Sequence, residues 1–152
     1  MRIEEYDGDR RDLLWSFRLA EDSESSLAGY LDRGVVWVAR DADGSVVGHL
    51  QAIPDTDEWE VLNTAVAEDR RGEGIGRLML EAAVDAARAA GVRRVVLATG
   101  AADVGNLRFY QRCGFRMDRV VRDVFTPEAG YPEGLEVDGI PLVDQGWFSL
   151  EW

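Results

Sequence analysis

The chain has no lysine; all 17 of its basic residues are arginine. That absence excludes any mechanism built on a lysine nucleophile, a Schiff base or the lysine of a Walker phosphate loop. Cys113 is the only cysteine, so no intrachain disulfide can form, and a cytoplasmic setting is expected. No apolar run approaches the roughly 20 residues of a membrane span. The start, Met1-Arg2-Ile3-Glu4-Glu5, has no signal-peptide core, and no membrane partner is expected. Internal repeats, low-complexity tracts and inter-domain linkers are also missing. Basic charge is in deficit: 29 acidic residues give a net charge of −12, which argues against nucleic acid as a partner. An acidic surface favours solubility, the plainer reading of the charge, and steering of cationic amines is the alternative.

What is present suffices for a core. The 152 residues, 46% apolar with five tryptophans, fit one domain spanning 1–152. Arg2 to Tyr6 reads as a strand, with Asp7 and Asp9 placed as helix caps ahead of Leu13, Leu14, Phe17 and Ala20. A second short helix is predicted from Ser23 or Ser25 to about Asp32, ended by Gly34. Val35–Arg40 and Val46–Ile53 form a hairpin about Asp41-Ala42-Asp43-Gly44, and Glu58–Ala67 is a third strand. Both faces of these strands carry apolar residues, so helices are expected on each side.

From Gly74 to Ala90 the helical period is the clearest in the chain, with Ile75, Leu78, Met79, Ala82, Ala86 and Ala90 as its apolar stripe. The strand Arg93–Thr99 follows; a crossover of this length implies a parallel pair. A helix from about Val104 to Cys113, a strand Phe115–Val121, an irregular segment 122–145 and a last strand 146–152 complete the chain. A loop as long as 122–145 is usually functional.

Between the third strand and the long helix lies Arg70-Arg71-Gly72-Glu73-Gly74-Ile75-Gly76-Arg77. A glycine turn that opens a helix leaves backbone N–H groups unpaired at the positive end of the helix dipole, which suits a phosphate or pyrophosphate. Three flanking arginines add charge. The spacing G-x-G-x-G is not the dinucleotide-binding G-x-G-x-x-G, and no Gly-Lys-[Ser/Thr] follows.

Arg71-x-x-Gly74-x-Gly76 matches the [Gln/Arg]-x-x-Gly-x-[Gly/Ala] signature of the GNAT superfamily of N-acetyltransferases. Asn106-Leu107-Arg108-Phe109-Tyr110-Gln111-Arg112-Cys113-Gly114-Phe115 resembles that family's second motif. The tail from Arg122 to Ile140 resembles a little-characterised bacterial branch, sometimes labelled indoleacetate acetyltransferases. The resemblance implies an α/β fold with a mixed sheet of about six or seven strands, splayed at strands 4 and 5 and flanked by about four helices. It implies acetyl-CoA as co-substrate and a small-molecule primary amine as acceptor, attacked directly in a ternary complex. It places Thr64, Val66, Arg71, Gly72, Gly74, Ile75, Gly76, Arg77 and Asn106 at the cofactor, Tyr110 as the acid for the departing thiolate and Glu60 as the base. No metal is expected.

Several alternatives stay open. Glu58, an acceptor-side residue or a water chain could replace Glu60, and His49 is a further candidate base. Trp15, Tyr30, Phe125 and Tyr131 are aromatic candidates for the acceptor side, with core packing the plainer role. A protein or peptide acceptor, a catalytically silent acyl-CoA-binding module and a homodimer are the remaining readings.

Overall fold

A computed structural model describes all 152 residues. Nine strands are arranged in chain order as β1 (Arg2–Glu5), β2 (Val35–Arg40), β3 (Val46–Ile53), β4 (Trp59–Val66), β5 (Arg94–Gly100), β6 (Arg116–Val121), β7 (Glu136–Val137), β8 (Ile140–Pro141) and β9 (Gln145–Glu151). The helices are α1 (Leu14–Ala20), α2 (Glu24–Tyr30), α3 (Ile75–Ala89) and α4 (Val104–Arg112). Seven strands form one sheet in the order β1-β2-β3-β4-β5-β9-β6, and β7 and β8 pair separately. Only β4 and β5 run parallel; every other adjacent pair is antiparallel. The expected mixed sheet with four helices is therefore present.

The helix ends follow local chemistry. Asp9 accepts from the Arg11 N–H at 2.9 Å and starts the 3-10 turn that leads into α1. Ser23 accepts from the Ser26 N–H at 3.2 Å and caps α2. The carbonyls at the end of α2 are collected by buried Gln51 and by Arg10: the Gln51 amide donates to Tyr30 O at 2.8 Å and Arg10 to Leu31 O at 3.0 Å.

Two apolar layers flank the sheet. Under α3, residues Trp37, Leu50, Trp59, Val61, Val95, Leu97 and Phe148 pack on Ile75, Met79, Leu80 and Ala83. Under α1 and α2, Leu13, Phe17, Leu27 and Leu31 pack on Val36 and Val38. Full burial of a side chain such as Phe17 stabilises by about 1.5–3 kcal/mol. No helix is long and apolar enough to cross a membrane.

The buried stripe of α3 differs from the expected one. Ile75, Met79, Leu80, Ala83, Val84 and Ala87 are buried, while Leu78 is 45% exposed. This helix carries alanine pairs at 82–83, 86–87 and 89–90, so two helical phases are nearly equally apolar. Leu80 and Val84 decide between them by packing toward Phe115 and Leu150.

Candidate functional site

β4 and β5 pair only through Trp59, Glu60 and Val61 against Val95, Val96 and Leu97. Beyond that point both strands continue but no longer pair with each other, so a V opens between Thr64–Val66 and Ala98–Gly100. The direction of the β4 peptide groups in the V follows from its ladder to β3. The Ala67 N–H donates to Val47 O at 2.8 Å, and the register runs Val66 to Gly48, Ala65 to His49 and Thr64 to Leu50. Hydrogen-bonded and non-bonded pairs alternate along an antiparallel ladder. Ala67 and Ala65 therefore turn their peptide groups toward β3, and Thr64 and Val66 turn theirs into the V. The two β4 residues expected to meet the thioester and the pantetheine are the ones whose amides have no strand partner.

The glycine turn closes the wide end of the V. Gly72 and Gly74 both sit at φ +82°, the left-handed region that excludes most side chains, although a Cβ at either would meet no atom within 4 Å. Backbone conformation, not crowding, calls for glycine there. Gly74 is the N-cap of α3 and supplies no side-chain acceptor, and the first intrahelical bond of α3 runs from Leu78 N to Gly74 O. The amides of Ile75, Gly76 and Arg77 are left without helical partners. Gly76 answers a close approach instead: a Cβ there would lie 3.3 Å from the Phe109 ring and 3.7 Å from Val66 Cγ2. The first turn of α3, the Phe109 ring of α4 and the end of β4 meet at this one residue.

The three arginines are not equivalent. Arg70 is held by Asp41 at 2.6 Å and Glu73 at 2.9 Å. Arg77 pairs with Glu81 at 3.3 Å along the exposed side of α3. Arg71 has no carboxylate partner and reaches only Val66 O, at 3.4 Å. Of the three arginines expected to add charge, two are thus paired with carboxylates, Arg70 with Asp41 and Glu73 and Arg77 with Glu81, and Arg71 alone is not.

Asp103 caps α4 through the Asn106 N–H at 3.0 Å, and Asn106 Nδ2 donates to Thr99 Oγ1 at 3.1 Å. These bonds fix the first turn of α4 against the free end of β5. Tyr110 lies one turn on and is 6% exposed, its ring 6.2 Å from Phe115 and 6.0 Å from Phe148. Its hydroxyl has no partner within the chain, yet Gln51 Oε1 is the only unpartnered side-chain polar atom sealed from solvent. The phenol therefore opens on accessible space. Burial raises its pKa above the ordinary tyrosine value, so it keeps its proton.

Glu60 lies on the opposite face of β4 from Val61, on the side of α1 and α2. It is half-buried, and its pKa is raised by burial, then by the charge of Glu58, with Arg33 acting in the other direction. Glu58 itself is tied to Arg94 at 2.8 Å. His49 is not an available base. It is fully buried, its Nδ1 lies 2.5 Å from Ser16 Oγ and its Nε2 lies 2.8 Å from Asn63 Oδ1. Burial pushes its pKa down to about 3.

The proton positions in this cluster follow from one carbonyl. Asn63 Nδ2 faces Phe17 O at 3.2 Å, which can only accept, so Asn63 Oδ1 must accept from His49 Nε2–H. Neutral His49 then accepts at Nδ1 from the Ser16 hydroxyl. Asn63 also donates to Tyr30 Oη at 2.9 Å, and Tyr30 donates to Glu21 Oε1 at 3.0 Å. Ser16, His49 and Asn63 have the connectivity of a nucleophilic triad, but they are 0%, 0% and 4% exposed, and no substrate reaches them. Glu21 and Ser16 carried no sequence signal, since neither belongs to a periodic stripe or a motif. Trp15 stands apart from this chain of bonds and is 42% exposed.

Comparison with known proteins identifies the family and the fold. Residues 4–115 match the model of the acetyltransferase (GNAT) family. The uncharacterized N-acetyltransferase YvbK of Bacillus subtilis is 31% identical over 128 residues, 83% of this chain and 80% of that protein. An IAA acetyltransferase from Bacillus cereus superposes with a TM-score of 0.88 at 32% identity over 99% of each chain. A GNAT acetyltransferase from Elizabethkingia anophelis, solved with acetyl-CoA bound, superposes with a TM-score of 0.87 at 26% identity over 99% of this chain and 97% of that one. With a splayed β4–β5 pair, an uncapped glycine turn at the head of α3 and a family match over most of its length, this chain belongs to the GNAT family of acetyltransferases, whose acyl donor is acetyl-CoA.

Proposed function

We propose that residues 1–152 act as one domain that moves the acetyl group of acetyl-CoA to a primary amine of a small molecule by direct attack in a ternary complex. The observation that carries this reading is the free peptide edge of Thr64 and Val66, which runs straight to the uncapped amides of Ile75, Gly76 and Arg77. A linear cofactor with a pyrophosphate at one end and a thioester at the other fits that path. The pyrophosphate would take the α3 amides over Gly72 and Gly74, with Arg71 as the one unpaired cation. The pantetheine amides would pair along Val66, and the thioester oxygen would meet the Thr64 N–H. Asn106 holds the far wall by its bond to Thr99.

An alkyl amine with a pKa near ~10.4 arrives protonated and must lose a proton before attack. Glu60 is suited to take it: its carboxylate has a raised pKa and Glu58 is occupied by Arg94. Attack forms a C–N bond and places charge on the carbonyl oxygen, where an N–H donor is worth most. Collapse breaks the C–S bond, and the thiolate collects the Tyr110 proton.

A cytoplasmic setting, with neither nucleic acid nor membrane as partner, fits the single cysteine and the acidic surface. The open edges of β1 and β6 leave pairing with a second copy available.

The test is Tyr110→Phe. Turnover with a primary-amine panel should fall by about 10²–10⁴, the usual span for a lost general acid, while acetyl-CoA still binds by calorimetry. Full turnover in that variant removes the acid role.

A further inference from the structure

Past Val61 and Leu97 no backbone bond joins β4 to β5, but on the Glu60 face the gap is crossed by side chains. At the β5 end, Gly100 shares that face with Val96, and a Cβ on Gly100 would meet Leu142 and, at 3.7 Å, Phe125. Phe125 meets Tyr131 edge to face, with centroids 5.1 Å apart. Tyr131 donates to Glu21 Oε2 at 2.9 Å, Tyr30 donates to Glu21 Oε1 at 3.0 Å, and Asn63 on β4 donates to Tyr30. The series Gly100, Phe125, Tyr131, Glu21, Tyr30, Asn63 is an arch from one arm of the V to the other. Its feet are firm. The N–H groups of Val124 and Phe125 both donate to Val143 O at 3.0 Å, and Ala101 N donates to Asp144 O at 2.9 Å. Gly130, at φ +93°, lies so close to α2 that a Cβ there would be 2.6 Å from Ser25 Oγ. Glu21 is the keystone: both its oxygens are occupied by tyrosine hydroxyls, and Oε2 also accepts from Ser23 N at 3.2 Å.

We propose that this arch, latched by Glu21, makes Tyr131 and Glu21 the determinants of acceptor size, so that a small amine passes beneath it to Glu60 and a polypeptide end is shut out. An extended chain needs an open groove for its backbone and side chains on both sides. Here one continuous row of aromatic rings and a carboxylate spans the acceptor face. The inference rests on the acetyl-transfer reading of the same site.

The experiment measures CoA thiol release from acetyl-CoA with three acceptors: benzylamine, an unblocked dodecapeptide, and water alone. With water, its oxygen adds to the acetyl carbon and the C–S bond breaks; one water proton ends on the CoA sulfur, the other goes to solvent, and acetate and CoA thiol leave. Wild type should prefer benzylamine over the peptide by about 10²-fold or more, a ratio within reach of steric exclusion. Tyr131→Ala, with acetyl-CoA affinity retained by calorimetry, should narrow that ratio about tenfold and raise release to water severalfold. Tyr131→Phe and Glu21→Ala should each act in the same direction, and their effects should not fully add, because each removes the bond between Tyr131 and Glu21. Comparable wild-type rates on peptide and benzylamine overturn the proposal, as does a Tyr131→Ala variant with an unchanged ratio. If no amine is acetylated, the water reaction still decides: a rise in Tyr131→Ala keeps the arch and discards the amine reading, and no rise discards the arch.

Discussion

A proline scan of β4 reads the direction of its peptide groups through function. Proline removes the N–H and tolerates an extended neighbour. At residue 64 the lost N–H points into the V, so the ladder to β3 keeps its bonds. At residue 65 the lost N–H belongs to the pair with His49, in the middle of the sheet. Thr64→Pro should therefore cost little stability beyond the hydroxyl bond from Thr64 Oγ1 to His49 O, measured at 2.9 Å and worth about 0.5–1.5 kcal/mol. Thr64→Val isolates that part, because it keeps the N–H. Removal of one oxyanion donor lowers turnover by roughly 10²–10³, or about 2.7–4 kcal/mol. Thr64→Pro should show that loss and Thr64→Val should not. Ala65→Pro should instead destabilise by about 1–3 kcal/mol for its orphaned carbonyl, a fall in Tm of roughly 2–4 °C per kcal/mol at this chain length. The assay pairs steady-state thiol release with thermal melts of all three variants. Equal melting temperatures for the two proline variants, or undiminished turnover in Thr64→Pro, refute the assignment of which amides face the V.

Glu60→Gln should slow transfer and raise Tm at pH 7. The folded state raises the Glu60 pKa, so it binds a proton more tightly than the unfolded chain does. Stability then falls as pH rises from the ordinary carboxylate range through the raised value, and the uncharged amide escapes that loss; a Tm at pH 7 at or below wild type sinks the point. The proton NMR signals of His49, the only histidine, should hold constant between pH 5 and 8, because the folded ring titrates near about 3. The sign is the reverse of that for Glu60. The unfolded ring takes up a proton near pH 6.5 and the folded ring does not, so stability drops progressively as pH falls below that value.

Features written in consecutive residues were legible. The hairpin about Asp41–Gly44, the turn Gly72–Gly76 and the helix ending at Gly114 each depend on local φ/ψ chemistry, and each appears where the sequence places it; of the cap candidates Asp7 and Asp9, Asp9 caps, and of Ser23 and Ser25, Ser23 does. The phase of α3 was not legible, since neighbouring alanines make two stripes equivalent until Phe115 and Leu150 arrive from elsewhere in the chain. Neither was the fate of Arg70, whose partner Asp41 lies 29 positions upstream. The acceptor arch is the extreme case: 110 positions separate Glu21 from Tyr131, and a carboxylate between two short helices looks like any solvated charge until both rings close on it. Segment 122–145 reads as irregular because its structure is a 3-10 turn at Pro127–Ala129 and a two-residue ladder, both too short for a period.

One residue in β4 reconciles the core with the site. In an unbroken strand Val61 and Asn63 would share a face. The pairing steps from Val61 opposite Ala52 to Asn63 opposite Gln51, so Leu62 is an extra residue, a bulge. Val61 thereby stays in the apolar layer under α3, while Asn63 turns to the α1 side and meets His49, Phe17 O and Tyr30. Without the bulge the Asn63 amide would enter the apolar layer unbonded, at about 1–3 kcal/mol, and three partners on the other side would lose their bond as well. The same step puts Glu60 and Asn63 on one face although they are three residues apart in sequence. Base candidate and arch foot thus share one face of β4 at the closed end of the V. Buried Ser16 and His49 have no access to substrate; their role is to hold Asn63 in that position, which makes the bulge the hinge between packing and chemistry in this strand.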